Sequence, residues 1–278
     1  MTIMDWRRAK TILILVFIAL NLVLTVTLYR NVKGGEISQQ TRVNTQRILE
    51  QNNVHIECPI PTYVGKDYIL QYDETIIDKN KIITGLLEDN YSKISDNIYK
   101  KASQKLEFTS ESGFEYTDGG GSRKIYGNSK SQIDSNIKEL AKKLGIPFNE
   151  FKLDEFDTPD SGKGSRLVYK GTYKDYSVFD NYIEVEVENS GLKSIRYHYK
   201  KPMTITNRDI NVIPVYQILI TRMTNYPGIT IKGVDIGFKG ITVDKDTKTL
   251  YEGLSWRIKT TTEGEEFYFN ATNGQQME

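Results

Sequence analysis

The chain has 278 residues and a formal net charge of +1, 37 basic side chains standing against 36 acidic ones. That balance excludes the basic footprint of a nucleic-acid-binding domain and any strongly acidic tail. One cysteine and two histidines exclude an internal disulfide and leave too few grouped ligands for a zinc site.

Thr11 to Tyr29 reads TILILVFIALNLVLTVTLY, without a charge. As a helix this run spans roughly 28 Å, against roughly 30 Å of bilayer hydrocarbon, which predicts one membrane-spanning helix. A cleaved signal peptide has a shorter apolar core followed by small residues. The exit here, Leu28-Tyr29-Arg30-Asn31-Val32-Lys33, has no small-x-small pair, so an uncleaved anchor is expected, with cleavage as the lesser alternative. Basic residues flank both ends, Arg7, Arg8 and Lys10 before and Arg30, Lys33, Arg42 and Arg47 after. The positive-inside rule therefore gives only a weak vote for a cytoplasmic N-terminus. Asn21 lies near the middle of the span, where a lone amide seeks a partner on another helix. With Thr25 and the entry residues Asp5, Trp6, Arg7 and Arg8 it forms the candidate partner-binding set. The expected divisions are residues 1–10 before the membrane, 11–29 across it, 30–127 a juxtamembrane helix with a first α+β subdomain, and 128–278 a second.

Beyond the span, Gly34-Gly35 breaks the helix. Ile37 to Gln51, with a thin apolar series at Ile37, Val43 and Ile48, is a juxtamembrane helix or a solvated spacer. Pro59-Ile60-Pro61 starts an extended region, and Asp67 to Tyr72 reads as a strand. Ile82 to Tyr116 is ambiguous, apart from short strands at Leu106–Phe108 and Phe114–Tyr116. Gly119-Gly120-Gly121 is a flexible loop, because no helix or Lys-Ser/Thr pair follows in the register of a phosphate cradle. Ser129 and Gln132 form a capping box that opens a helix to Leu144. Ile133, Ile137, Leu140 and Leu144 make its apolar stripe, and Gly145 and Pro147 end it. Asp154, Glu155, Asp157 and Asp160 lack the ligand spacing of a calcium loop, so they are expected in a solvated acidic turn before a strand at Leu167–Tyr173.

The hairpin from Tyr182 to Tyr199 can be registered. Closing a three-residue loop between Glu188 and Leu192, with Gly191 in the left-handed position, pairs Val185 with Ile195 and Ile183 with Tyr197. The opposite face pairs Glu184 with Arg196. A second helix is expected from Val212 to Met223, with Pro214 in its first turn and Val215, Ile218, Leu219 and Met223 buried. The apolar parity then flips at Gly233, which predicts a bulge. Asp244-Lys245-Asp246-Thr247 is a turn, and Leu254–Lys259 with Glu266–Asn270 make an aromatic closing hairpin.

Nothing in this pattern indicates catalysis. His55 and His198 sit between apolar neighbours in extended stretches and are expected to point outward. Cys58 is expected to be a partly packed thiol without an electropositive pocket, and the Asn270-Ala271-Thr272 triplet carries little weight as a glycosylation acceptor. No catalytic, cofactor-binding or metal-binding residue is assigned.

Both ends of the chain carry further signals: Met4-Asp5-Trp6 with Lys10-Thr11-Ile12, and Leu254-Ser255-Trp256-Arg257-Ile258 with Phe267-Tyr268-Phe269-Asn270-Ala271-Thr272-Asn273-Gly274. These segments resemble the YycI (WalI) regulatory proteins of Gram-positive bacteria, in which the methionine before Asp-Trp usually opens the chain, so Met1-Thr2-Ile3 is a departure. The resemblance implies an α+β, YycH-like fold, namely an N-terminal transmembrane helix followed by an extracytoplasmic region of antiparallel sheets with packed helices. It also implies no catalysis, and regulation of the sensor histidine kinase WalK (YycG) of cell-wall metabolism together with a YycH-type partner. The alternatives are an anchored extracytoplasmic cell-wall enzyme or ligand-binding domain and, third, an adhesion or scaffold module.

Overall fold

The computed structural model describes residues 6–33, 38–63, 65–73, 75–125, 129–158, 164–188, 191–243, 250–261 and 265–277; for 6–9, 26–33 and 241–243 it describes the backbone alone. Among these residues the fold is mixed α+β and sheet-rich, with five α-helices. α1 (Trp6–Lys33) is followed by α2 (Gln39–Gln51), β1 (His55–Ile56) and β2 (Lys66–Tyr72). α3 (Lys79–Leu87) precedes a meander of β3 (Ser92–Lys93), β4 (Ile98–Lys101), β5 (Gln104–Ser110) and β6 (Gly113–Asp118). α4 (Lys130–Leu144) leads into β7 (Phe151–Asp157), β8 (Gly164–Tyr173), β9 (Tyr176–Glu188), β10 (Gly191–His198) and β11 (Pro202–Asn211). The chain closes with α5 (Val215–Arg222), β12 (Thr230–Val243), β13 (Leu250–Thr260), β14 (Glu266–Asn270) and β15 (Gln276–Met277).

The strands join into one network in the order β11-β2-β13-β12-β9-β10-β6-β5-β4-β3, with β14 branching from β13, and β8 then β7 from β9. β9 is the hinge of this arrangement. Its first residues run parallel to β12, Ser177 opposite Gly237; β8 pairs antiparallel with both ends of the strand, and β10 pairs antiparallel with its second half from Tyr182 to Glu188. Each part of the strand therefore faces a different core. Ile183, Val185 and Val187 join a cluster under α3 and α4 that includes Ile82, Leu86, Ile137, Leu140 and Leu192. Val178 joins a second cluster in which Leu49 of α2 and Val215, Ile218 and Leu219 of α5 cover Leu70, Phe238, Trp256 and Phe269.

Local sequence explains most element ends. Ser129 Oγ accepts from the Gln132 N–H at 3.4 Å, Gly145 closes α4 at φ 76°, and the expected stripe is buried. α3 begins three residues before the ambiguous stretch that opens at Ile82 and runs into it. Its Asp78 cap accepts from the Lys81 N–H at 3.0 Å, and Ile82, Ile83, Leu86 and Leu87 are buried. α2 exists and is capped by Ser38, but its buried residues are Thr45 and Leu49. Val43 is exposed and Ile48 only half-buried, because the helix leans on α5 and β1 through the other face. α5 starts at Val215 with Pro214 as its cap, three residues later than expected at Val212.

The hairpin register is as predicted: Val185 faces Ile195, Ile183 faces Tyr197 and Glu184 faces Arg196. Its closure differs. Gly191 pairs with Glu188, and a bulge between Leu192 and Ser194 restores the register. Gly191 is needed for close approach and not for a left-handed turn, since a Cβ there would lie 2.8 Å from the Gly121 carbonyl oxygen. The bulge expected at Gly233 falls between Ile231 and Gly233. The turn at 244–247 lies outside the described residues.

Candidate functional site

The predicted partner-binding set divides along α1. Asp5 lies outside the described residues, and Trp6, Arg7 and Arg8 open the helix with only their backbone described. Asn21 and Thr25 stand one turn apart on one face. The Asn21 Nδ2 donates to the Phe17 carbonyl at 2.8 Å, and the Thr25 hydroxyl donates to the Asn21 carbonyl at 2.7 Å. The helix thus joins these two and holds them roughly 22 Å from Trp6, fifteen residues back at 1.5 Å each. From Ile12 to Leu24 the large apolar side chains are 50–71 % exposed on every side of the helix. Among the described residues no helix is long and apolar enough to cross a membrane. The described side chains of α1 run only from 10 to 25, so the C-terminal end of the run from Thr11 to Tyr29 is not among them.

Between the two cores lies a half-buried layer of charge built around one buried cation. Arg257 on β13 is 2 % exposed, and both of its faces are engaged. Its Nη1 and Nη2 donate to Asp154 on β7 at 2.6 and 2.9 Å, its Nε and Nη2 to Asp235 on β12 at 2.9 and 2.6 Å, and Nη1 also to Glu266 at 3.0 Å. The Phe179 ring lies 4.5 Å from the guanidinium carbon. Only arginine supplies a planar fork for two carboxylates at once. Lys259 bonds Asp154 at 2.8 Å and Glu155 at 3.0 Å, and Arg166 reaches Glu155 at 3.2 Å. Burial opposes ionisation of Asp154, but Arg257 and Lys259 outweigh it and hold the carboxyl at about 2.

The acidic cluster is therefore a correction. Asp154, Glu155 and Asp157 are not a solvated turn but part of β7, and Asp160 lies outside the described residues. Carboxylate oxygens of Asp154, Glu155 and Glu266 approach within 4.8 Å of one another, as around a hard cation. Protein cations already occupy that space, with Lys259 Nζ also 3.9 Å from Glu266. No signal within 154–160 foretold this, because Arg257 and Lys259, which hold Asp154, lie about a hundred residues away.

A second polar group flanks the layer. Asp180 accepts from Lys239 Nζ at 2.9 Å and from the Gly240 N–H at 3.0 Å. His198 is also a correction. It is half-buried, with Nδ1 2.7 Å from the Asp180 carbonyl and Nε2 3.3 Å from Ser112 Oγ, whereas His55 is exposed as expected. Glu252 is 1 % exposed, and neither its Oε2 nor the neighbouring Tyr72 hydroxyl has a hydrogen-bond partner. Cys58 is free and half-buried, and burial pushes its thiol up.

The YycI protein family matches residues 33–272. The chain belongs to the YycI family. Its match begins at the last residue of α1 and covers both cores. By sequence, no curated protein matches the chain. Among solved structures it is similar to an uncharacterized protein from Eubacterium rectale ATCC 33656, with 10 % identity and a TM-score of 0.47 over 85 % of this chain and 98 % of that one. It is also similar to YycH from Bacillus subtilis, with 13 % identity and a TM-score of 0.45 over 73 % of this chain and 52 % of that one. The C-terminal segments that carry the YycI resemblance are structural in this chain. Trp256 Nε1 donates to the Ile213 carbonyl at 2.8 Å, Arg257 holds the charged layer, and Asn270 Oδ1 accepts from the Thr272 and Asn273 N–H groups at 2.9 and 3.2 Å to turn the chain after β14.

Proposed function

We propose that this YycI-family chain is a membrane-anchored, non-catalytic regulator of the sensor histidine kinase WalK (YycG), acting with a YycH-type protein. Family membership supports a role in the WalK system. In this reading α1 crosses the membrane with its N-terminus in the cytoplasm, and the folded region stands outside the cell. The observation that carries the anchor is the ring of exposed apolar side chains on α1, since a helix apolar all round needs an apolar surrounding. One Asn21 N–H is used on its own helix. The rest of that amide faces the kinase helix, with Thr25 beside it and Asp5, Trp6, Arg7 and Arg8 at the cytoplasmic entry.

The test is recovery of partners with the full chain from membranes in mild detergent. WalK and the YycH-type protein are expected together, and Asn21→Leu should lower kinase recovery by about threefold, the equivalent of about 0.6 kcal/mol for such a bond. Absence of the kinase from the wild-type preparation overturns the proposal. An unchanged recovery with Asn21→Leu removes the role given to that residue alone.

A further inference from the structure

The C-terminal end of α3 opens on a cleft of about 460 Å³, whose lining includes Glu88, Lys101, Ala102, Gln104, Arg123 and Lys124. Three of these six are cations and one is an acid. The cations are held in place by backbone. Lys101 Nζ donates to the Leu87 carbonyl at 2.7 Å, and Arg123 Nη2 donates to the Gly85 and Leu86 carbonyls at 2.8 and 3.3 Å. Those last-turn carbonyls attract positive charge, so both cations are pre-ordered. Upstream, Asp118 fastens the loop that delivers Arg123. It accepts from the Gly120 and Ser122 N–H groups at 2.9 and 2.7 Å, and although burial opposes its ionisation, these bonds and the Ser103 hydroxyl hold it at about 2. The Leu192 N–H donates to the Arg123 carbonyl at 2.8 Å, and Lys124 bridges to Gly191, so the two basic residues alternate along a short extended segment.

This cleft holds only a loose anion of its own. The Glu88 carboxylate sits 3.8 Å from Lys101 Nζ and 3.6 Å from Arg123 Nη2, beyond the roughly 2.7–2.9 Å of a charge-assisted bond, and its side chain is 70 % exposed. Lys124 is exposed and makes no ion pair among the described residues. Arg123 Nε and Gln104 Oε1 are buried without a hydrogen-bond partner, one a donor and the other an acceptor. Glu88 and Ala102 adopt φ of 57° and 50°, a region non-glycine residues rarely occupy and one that clusters at ligand sites.

We propose that this cleft binds a small oxyanion ligand, a carboxylate or phosphate with a hydroxyl or amide donor beside it, and that Glu88 occupies the anion position until the ligand displaces it. The oxyanion is taken by Arg123, Lys101 and Lys124, and the donor meets Gln104 Oε1. The inference stands apart from the kinase role and survives its failure. The full chain in mild detergent is titrated calorimetrically with glycerol 3-phosphate and, separately, with lactate. Saturable binding of one probe is expected, and which probe binds identifies the phosphate or the carboxylate source. Lys124→Ala, at an exposed position, should weaken it by about tenfold. Glu88→Gln should strengthen it by about threefold, a gain that a merely structural Glu88 would not give. No saturable heat with either probe, or binding that both substitutions leave unchanged, overturns the proposal.

Discussion

Glu252 gives the chain a pH-dependent stability that one substitution should remove. The side chain is 1 % exposed on β13. Burial raises its pKa, the Asp180 carboxylate raises it further, and Lys239 and Lys200 offset only part, so the group titrates at about 8 against 4.5 in an open chain. The folded protein therefore holds a proton that the unfolded chain has released. Stability is fully present below pH 4.5 and falls as pH rises toward 8, because the unfolded state binds fewer protons throughout that window. At about 1.4 kcal/mol per unit, the loss reaches about 3 kcal/mol by pH 7 and approaches about 5 kcal/mol above pH 9. Glu252→Gln keeps the shape and removes the titration. Urea unfolding of the full chain in mild detergent, followed by Trp256 fluorescence, should show the variant gaining on wild type by about 3 kcal/mol between pH 4 and pH 7. Parallel pH profiles for the two proteins would refute the reasoning.

The charged layer makes two further predictions. Arg257→Lys cannot span Asp154 and Asp235 and leaves carboxylates without their fork, so the same unfolding assay should show a loss of about 3 kcal/mol at pH 7. Asp154, held at about 2 in the fold against 3.8 when free, contributes about 2 kcal/mol that is present above pH 3.8 and is lost as pH falls through 2. An acid titration followed by far-ultraviolet circular dichroism should therefore show a shallower acid limb for Asp154→Asn than for wild type.

Where one side chain's surroundings come from its own neighbourhood, the sequence was legible. The α4 cap and stripe, the Val185–Ile195 register and the closing hairpin all follow from spacing within a single element or a short loop. α3 was not legible, because a nine-residue helix with Gly85 inside it gives a weak periodic signal. The acidic run differs from its expected solvated turn for another reason. Asp154 and Glu155 look solvated until β13 supplies Arg257 and Lys259 from across the chain, and no spacing rule carries that distance. Gly191 stands out in the sequence as a turn residue, but its need comes from Gly121 packed against it, which no local pattern shows. Of the candidate set, the sequence places Asn21 near the middle of the apolar run, and the structure adds its bonds along α1 to Phe17 and Thr25.

The position of the charged layer explains why so costly an arrangement sits inside the fold. The two apolar clusters have no residue in common, and β9 passes from one to the other. Phe179 and Asp180 mark the crossing. Phe179 lies under Arg257 and 5.3 Å from the Tyr268 ring, and Asp180 is held by Lys239. Apolar contact at such a crossing would tolerate sliding, because dispersion is non-directional. A guanidinium with two fixed carboxylates does not tolerate it. Ion pairs of this kind add little net stability over a well-packed apolar substitute, since desolvation cancels most of the attraction. What they add is geometry: Arg257 fixes β7, which belongs to the sheet beneath α4, to β12 and β13, which carry α2 and α5. α2 follows α1 in the chain and buries Leu49 in that second cluster, so the helix nearest the proposed anchor rests on the core whose register Arg257 sets.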